Sequence, residues 1–101
     1  MLRHIVTYKF LPEALGRTKE ENLAKAAQLA SEIEKNISCL KGFTCGIGSR
    51  EQKESNYDIV LICDFDDFAG LAEYKEHPAH KAFGELCHAV SSGRAAIDFE
   101  L

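Results

Sequence analysis

The sequence lacks the long apolar runs and the clusters of positive charge that mark membrane-spanning and nucleic-acid-binding proteins. No run approaches the roughly 18 to 20 apolar residues that span a bilayer, and residues 1–10 alternate where a signal peptide would be continuously apolar. Lys and Arg number 12 against 16 Asp and Glu, a formal net charge of −4, so a positive surface to neutralise phosphates is missing. We therefore expect a cytoplasmic protein that binds neither a membrane nor nucleic acid.

The sequence also lacks cysteines at the spacing of a redox or metal motif. Its cysteines are Cys39, Cys45, Cys63 and Cys87, and no two of them form C-x-x-C. Their local sequences do not supply the positive neighbourhood that a nucleophilic thiolate needs. We expect reduced thiols, without a structural disulfide or a catalytic cysteine.

Length and composition indicate one compact domain over residues 1–101. Hydrophobic residues make up 46% of the chain and charged residues 28%, which is a globular composition. A monomer of this size buries roughly 60 to 68% of the surface that its unfolded chain exposes, so its core is modest. Burial at a subunit interface would add noticeably to its stability.

Periodicity, glycines and prolines predict the order of the strands and helices. The predicted elements are a strand over residues 2–10, a helix from a Thr18–Glu21 capping box to Ile37, a strand over residues 43–49, a strand over residues 57–65, a helix from Asp66 or Asp67 to Tyr74, a helix from Pro78 to Val90 and a strand over residues 95–101. Pro12 and Gly16 indicate a loop before the first helix, and Gly93 indicates the end of the last helix. The order β-α-β-β-α-β predicts an α+β, ferredoxin-like protomer with a four-stranded antiparallel sheet.

The strand over residues 57–65 is apolar on both faces, with Ile59, Leu61 and Cys63 on one side and Val60 and Ile62 on the other. One layer of helices covers only one face of a sheet, so the second face must be hidden by another sheet or subunit. The sequence therefore predicts a homodimer in which two sheets pack face to face.

The segment over residues 74–80, YKEHPAH, holds the side chains best suited to chemistry. Tyr74 closes one predicted helix and His80 lies in the first turn of the next, so the corner at Pro78 can direct a phenol and an imidazole into a shared space. Such a pair suits enolisation, aldol or isomerisation steps without a cofactor, because both groups can exchange a proton with a reacting carbonyl compound. The structural alternative is that His77 caps a helix, Tyr74 packs at a helix edge and His80 binds a backbone carbonyl.

Two clusters resemble metal sites. His77 and His80 are three residues apart, but Pro78 turns His77 away and no third ligand stands at a familiar zinc spacing. The acidic residues within 64–67, DFDD, would either hold a magnesium ion at a strand end or cap a helix in solvent. We expect neither a metal nor a cofactor.

Short motifs along the whole chain carry a family resemblance. They are Leu2-Arg3-His4-Ile5-Val6 followed by Phe10, Tyr57-Asp58 before an apolar strand, His77-Pro78-Ala79-His80 with Tyr74 three residues earlier, Phe83-Gly84, and Ile97-Asp98-Phe99. Together they resemble the stress-responsive dimeric α/β-barrel (Dabb) family. The resemblance implies a ferredoxin-like protomer whose sheet pairs with that of a second copy to form a barrel.

The same resemblance implies roles for particular residues. Tyr74 and His80 correspond to the tyrosine and histidine with which a plant polyketide cyclase of this family performs an intramolecular aldol condensation. The resemblance also implies that His4 lines the pocket and that Asp98 lines it and orients His80. The further residues expected to line the pocket are Val6, Tyr8, Leu61 and Phe83.

Two functions remain open on the sequence alone. In the first, His80 removes an α-proton from an apolar carbonyl compound and Tyr74 stabilises the enolate oxygen, in a reaction of cyclase, isomerase or lyase type. In the second, the protein is a non-enzymatic dimeric stress-response or assembly protein, and the same segment is structural.

Overall fold

The computed structural model describes residues 1–101 and contains a four-stranded sheet, a small hairpin and three helices. In chain order the elements are β1 (Leu2–Phe10), β2 (Glu13–Ala14), β3 (Arg17–Thr18), α1 (Lys19–Asn36), β4 (Gly42–Ile47), β5 (Ile59–Phe65), α2 (Phe68–Glu76), α3 (Pro78–Val90) and β6 (Ser91–Glu100). The main sheet is antiparallel, in the order β4-β5-β1-β6. This confirms the predicted ferredoxin-like α+β fold.

Strands β1 and β5 alternate strictly between a buried face and a half-buried face. Their buried residues face the helices, because successive side chains of a strand point to opposite sides of the sheet. The core on that face is closed by small and medium side chains of α1 such as Ala26, Ala30 and Ile33, all fully buried. The helix layer thus covers one face of the sheet.

Helix α1 begins with the capping box predicted from the sequence. The Thr18 hydroxyl accepts a hydrogen bond from the Glu21 amide at 3.2 Å, and the Glu21 carboxylate accepts one from the Thr18 amide at 2.9 Å. One buried residue of this helix, Asn22, is polar. Its amide group accepts from Arg17 at 2.8 Å and donates to the Ala14 carbonyl at 3.2 Å, which satisfies the buried polar atoms.

The loop predicted around Pro12 and Gly16 is in fact a short hairpin. Strands β2 and β3 pair through a two-residue turn at Leu15 and Gly16, whose φ angles are 54° and 71°. Positive φ at both central residues is the geometry of a tight hairpin turn. Glycine favours this turn at the second position, whereas Leu15 carries no sequence signal for it.

The break between α2 and α3 occurs at the predicted proline. Asp67 caps α2 by accepting a hydrogen bond from the Gly70 amide at 3.0 Å, and α3 begins at Pro78. Between them His77 both ends α2 and caps α3, where its Nδ1 accepts from the Ala79 amide at 3.0 Å. The two helices therefore meet at a fixed corner.

The predicted helix from Pro78 to Val90 is confirmed, but Gly93 is not the residue that ends it. The helix ends at Val90 and β6 starts at once with Ser91, so Gly93 lies inside the strand, opposite Lys9. A Cβ at Gly93 would stand 2.8 Å from the Tyr57 hydroxyl oxygen. The glycine is there because another side chain approaches the strand closely, and the helix needs no glycine to end.

The face of the sheet away from the helices carries a set of apolar side chains that no element of the chain covers. They are Ile5, Val60, Ile62, Ala95, Ile97 and Phe99. Ile97 is 59% exposed and Phe99 39% exposed.

None of the three helices has both the length and the hydropathy that crossing a bilayer requires.

Candidate functional site

A cavity of about 340 Å³ lies between the sheet and the corner formed by α2 and α3. Its walls come from three strands and two helices: His4, Val6, Tyr8, Leu61, Tyr74, Lys75, His80, Phe83 and Arg94. The structure therefore brings together every residue that the sequence analysis placed in a site, except Asp98. The volume is at the lower end of the range of small-molecule sites.

The α2–α3 corner sets Tyr74 against His80. Tyr74 lies in the last turn of α2 and His80 in the first turn of α3, and their ring centroids are 4.5 Å apart with the planes tilted by 55°. The corner itself is held by a hydrogen bond from the His77 amide to the Tyr74 carbonyl at 3.1 Å. A phenol and an imidazole thus share one wall of the cavity.

The protonation of His80 follows from its backbone partner. Its Nδ1 lies 3.2 Å from the Lys75 carbonyl oxygen, which only accepts, so Nδ1 carries the proton and Nε2 keeps a free lone pair. Burial lowers the pKa of His80 from its usual value, and the nearby charges of His4, Lys75 and Arg94 lower it further, while the hydrogen bond to the Lys75 carbonyl opposes part of this shift. His80 is therefore a neutral imidazole at pH 7, with Nε2 free to accept a proton.

Tyr74 is not the helix-edge residue of the structural alternative, because its side chain is fully buried. Its hydroxyl oxygen accepts from the Cys63 thiol at 3.7 Å, which leaves the hydroxyl proton available to another acceptor. Burial raises the pKa of Tyr74, so the phenol stays protonated. The other two parts of that alternative, the His77 cap and the His80 bond to a carbonyl, are present.

The expectation that Asp98 orients His80 is wrong. Asp98 stands directly opposite His4 in the β1–β6 register, and its carboxylate binds the His4 Nδ1. His80 lies on α3 and takes the Lys75 carbonyl instead. Because residues opposite each other in a ladder share a face, Asp98 reaches the imidazole of the neighbouring strand.

Sequence reasoning missed the two cations of the cavity, Lys75 and Arg94. Lys75 follows Tyr74 at the end of α2, and Arg94 stands opposite Tyr8 in the β1–β6 register. Lys75 lies in the YKEHPAH segment, so the sequence could have indicated that it lies near the site. Arg94 carries no such signal, because its position depends on a pairing between two strands about 80 residues apart, which single-sequence patterns do not show.

The acidic residues after β5 have partners within the protein. Asp64 binds Arg3 through two contacts at 2.8 and 3.0 Å, Asp66 lies 3.7 Å from the Lys41 ammonium, and Asp67 caps α2. The structure contains no group of three or more His, Cys, Asp or Glu side chains arranged to hold a metal ion. The magnesium alternative therefore has no assembled ligand set.

All four cysteines are free thiols. Burial raises the pKa of Cys63 to about 11 and that of Cys87 to about 12. Both thiols therefore remain protonated at neutral pH. A nucleophilic cysteine would have to be a thiolate.

Comparison with known proteins yields one family and several solved folds. A family model described as the stress responsive A/B barrel domain (Dabb) matches residues 2–101. No curated protein matches the chain.

Three solved structures illustrate the fold similarity. A dimeric protein of unknown function with a ferredoxin-like fold from Bacteroides fragilis is 25% identical, with a TM-score of 0.80 over 99% of this chain and 95% of its own. A dimeric ferredoxin-like protein of unknown function from Thermobifida fusca is 24% identical, with a TM-score of 0.83 over 99% and 90%. A hydroxynitrile lyase from Passiflora edulis is 12% identical, with a TM-score of 0.76 over 99% and 92%.

Proposed function

The chain belongs to the stress responsive A/B barrel domain (Dabb) family, and from this premise we propose that it is a cofactor-independent acid/base enzyme acting on small carbonyl compounds. The reaction is of cyclase, isomerase or lyase type, and residues 1–101 form one such domain. The observation that carries the proposal is the Tyr74–His80 pair, whose ring centroids lie 4.5 Å apart in the wall of a cavity of about 340 Å³.

His80 is the proposed base. Its Nε2 takes a proton from the carbon next to the substrate carbonyl. The electron pair of that C–H bond forms a C=C bond to the carbonyl carbon, and the C=O π pair moves to the oxygen, which gives an enolate. The Lys75 carbonyl oxygen, which accepts a hydrogen bond from Nδ1 at an N···O distance of 3.2 Å, holds the reactive tautomer and stabilises the imidazolium produced.

Tyr74 is the proposed partner of the enolate oxygen. Its raised pKa keeps the phenol protonated, so the hydroxyl donates a hydrogen bond and does not compete as a base. A donor aimed at the position where negative charge develops stabilises the transition state more than the ground state. The proton on His80 then returns to the product carbon or to a leaving group.

The other predicted site residues complete the proposed cavity. His4, held by Asp98, presents a second imidazole beside the pair, with its ring centroid 6.3 Å from that of Tyr74. The substrate body packs against apolar walls, which also exclude water from the enolate. These walls are Val6, Tyr8, Leu61 and Phe83.

The Passiflora edulis hydroxynitrile lyase shares the fold of this chain. At 12% identity it shows a common fold and assigns no residue role to this chain. It indicates that a lyase can be built on this fold, which is compatible with the proposed chemistry. In this chain the support for that chemistry comes from the cavity and its Tyr74–His80 pair.

We also infer that the functional unit is a homodimer. The uncovered face of the main sheet carries apolar side chains on three neighbouring strands, with Ile97 59% exposed. Exposed apolar area of this kind marks an interaction surface. The similar proteins from Bacteroides fragilis and Thermobifida fusca are described as dimeric, which supports this arrangement.

The experiment for the catalytic proposal measures proton exchange, because enolisation is common to all three reaction types. Phenylacetone and 3-benzoylpropionate are incubated with the protein in D₂O, and loss of their α-proton signals is followed by NMR. His80→Gln is expected to lower the rate by about 10²- to 10⁴-fold, the usual contribution of a general base. His88→Gln, an exposed histidine on the same helix, is the matched control and keeps the wild-type rate.

The non-enzymatic alternative has its own support, since His77 and His80 both make structural hydrogen bonds. It expects wild type and His80→Gln to exchange both probes at the buffer rate. It also expects the substitution to lower stability without changing any response to a ligand. Equal exchange in the two proteins would overturn the catalytic proposal and leave the dimer as the functional unit.

A further inference from the structure

We propose that the cavity takes a carbonyl compound that carries a carboxylate, and that Arg94 binds this carboxylate at the cavity mouth. The inference rests on the proposed function, because it names the ligand class of the same cavity. It adds a specificity-determining residue that lies outside the Tyr74–His80 pair.

The charge distribution in the cavity is opposite to that of the chain. The protein has a net charge of −4, with 16 acidic residues, yet the nine residues that line the cavity include Lys75 and Arg94 and no acid. A cleft lined by one sign of charge concentrates ligands of the other sign. The cavity therefore favours an anion although the whole protein repels one.

Both cations are free to bind a ligand. Neither the Lys75 ammonium nor the Arg94 guanidinium makes an ion pair or a side-chain hydrogen bond within the chain, and both residues are exposed. On the same face of β6, the acid nearest to Arg94 along the strand is Asp98, two positions beyond Ala96. Its carboxylate is hydrogen-bonded to His4. The arrangement leaves two unpaired positive groups, on α2 and on β6, at one opening.

The position of Arg94 suits a ligand with one charged end. Arg94 stands opposite Tyr8 on the helix-facing side of the sheet, while His4 and Leu61 lie deeper, at 3% and 1% exposure. A guanidinium binds a carboxylate through two parallel hydrogen bonds, which also fixes the orientation of the ligand. The apolar body and the reacting carbonyl then lie inward, toward the two imidazoles.

A bound carboxylate would also act on the base. The charges of Lys75 and Arg94 both contribute to the lowered pKa of His80. A carboxylate placed between them offsets these charges and so raises the pKa of His80 toward its usual value. The anion would thereby strengthen the base that acts on its own carbonyl group.

The test compares 3-benzoylpropionate with its methyl ester, which has the same aryl ketone and no charge. Dissociation constants are measured by NMR titration for wild type, Arg94→Gln, Arg94→Lys and the control Arg50→Gln, which alters an exposed arginine that does not line the cavity. We expect the wild type and the control to bind the acid about tenfold more tightly than the ester, as a charge-assisted bidentate contact allows. Arg94→Gln is expected to abolish this preference, and Arg94→Lys to retain part of it.

Three results would overturn the anion site: equal binding of acid and ester by the wild type, an unchanged preference in Arg94→Gln, or no binding of either probe up to its solubility. The catalytic proposal fails separately, through equal proton exchange in wild type and His80→Gln. If the preference for the acid depends on Arg94 but proton exchange does not depend on His80, the anion site would stand and the catalytic proposal would fail.

Discussion

His4 and Asp98 stand directly opposite each other on β1 and β6, and the Asp98 carboxylate accepts a hydrogen bond from the His4 Nδ1. His80 is held in a parallel way, by the Lys75 carbonyl at its own Nδ1. Each imidazole therefore has its Nδ1 engaged by an oxygen acceptor, which fixes the orientation of the ring. Two oriented imidazoles line one small cavity, from different elements of the fold.

The His4–Asp98 pair predicts a stability effect for Asp98→Asn. The amide keeps one acceptor but loses the charge, and the buried His4 then has a weaker partner. We expect a loss of about 1 kcal/mol in the free energy of unfolding measured in urea, at the low end of charged hydrogen bonds because Asp98 is partly exposed. Glu100→Gln, an exposed position on the same face of β6, should change it by less than about 0.5 kcal/mol. Equal effects of the two substitutions would contradict the pairing.

The lowered pKa of His80 predicts a dependence of stability on pH. Burial is its main cause, and His4 on β1, Lys75 on α2 and Arg94 on β6 add to it. Below the unfolded pKa of about 6.5, the unfolded chain binds a proton that the folded protein resists, so stability falls as the pH drops from 7 to 5. His80→Gln should flatten this slope in urea unfolding, and His88→Gln should not. A wild-type slope in His80→Gln would show that His80 is not held neutral by the fold.

The uncovered face of the sheet predicts how the dimer can be broken. Ile97→Glu places a charge in the apolar surface that the second copy would bury, and an unpaired buried charge is costly. Light scattering coupled to size-exclusion chromatography should give a dimer for the wild type and a monomer or unfolded chain for this variant. Phe68→Glu alters an apolar side chain of similar exposure, 57%, at the start of α2 and should stay dimeric. A monomeric wild type would exclude the interface.

Local sequence signals predicted the parts of the fold that local chemistry decides. The Thr18–Glu21 capping box, the helix start at Pro78 and the apolar strand β5 are confirmed because each depends on residues close together in sequence. The hairpin at residues 13–18 was missed because one of its two positive φ angles falls on a leucine. The role of Gly93 was misread because a glycine is needed there by the close approach of Tyr57, more than 30 residues away in the chain.

The same distinction holds for the site. Tyr74 and His80 are six residues apart around a proline corner, so the sequence predicted that they meet. The partner of Asp98 and the presence of Arg94 in the cavity depend on the register of β6 against β1, which is set by the packing of the whole sheet. Sequence therefore predicted which residues line the cavity better than how they are bonded.

The central claim is that Tyr74 and His80 act as one unit on a carbonyl compound, and a double-mutant cycle on proton exchange tests it most directly. Exchange of 3-benzoylpropionate α-protons in D₂O is measured for wild type, Tyr74→Phe, His80→Gln and the double variant, with Tyr57→Phe as the control for loss of an exposed phenol. Groups that act as a unit show strongly non-additive losses. We predict that the double variant is within about threefold of the slower single variant. Losses that multiply, or single variants as fast as the wild type, would contradict the account.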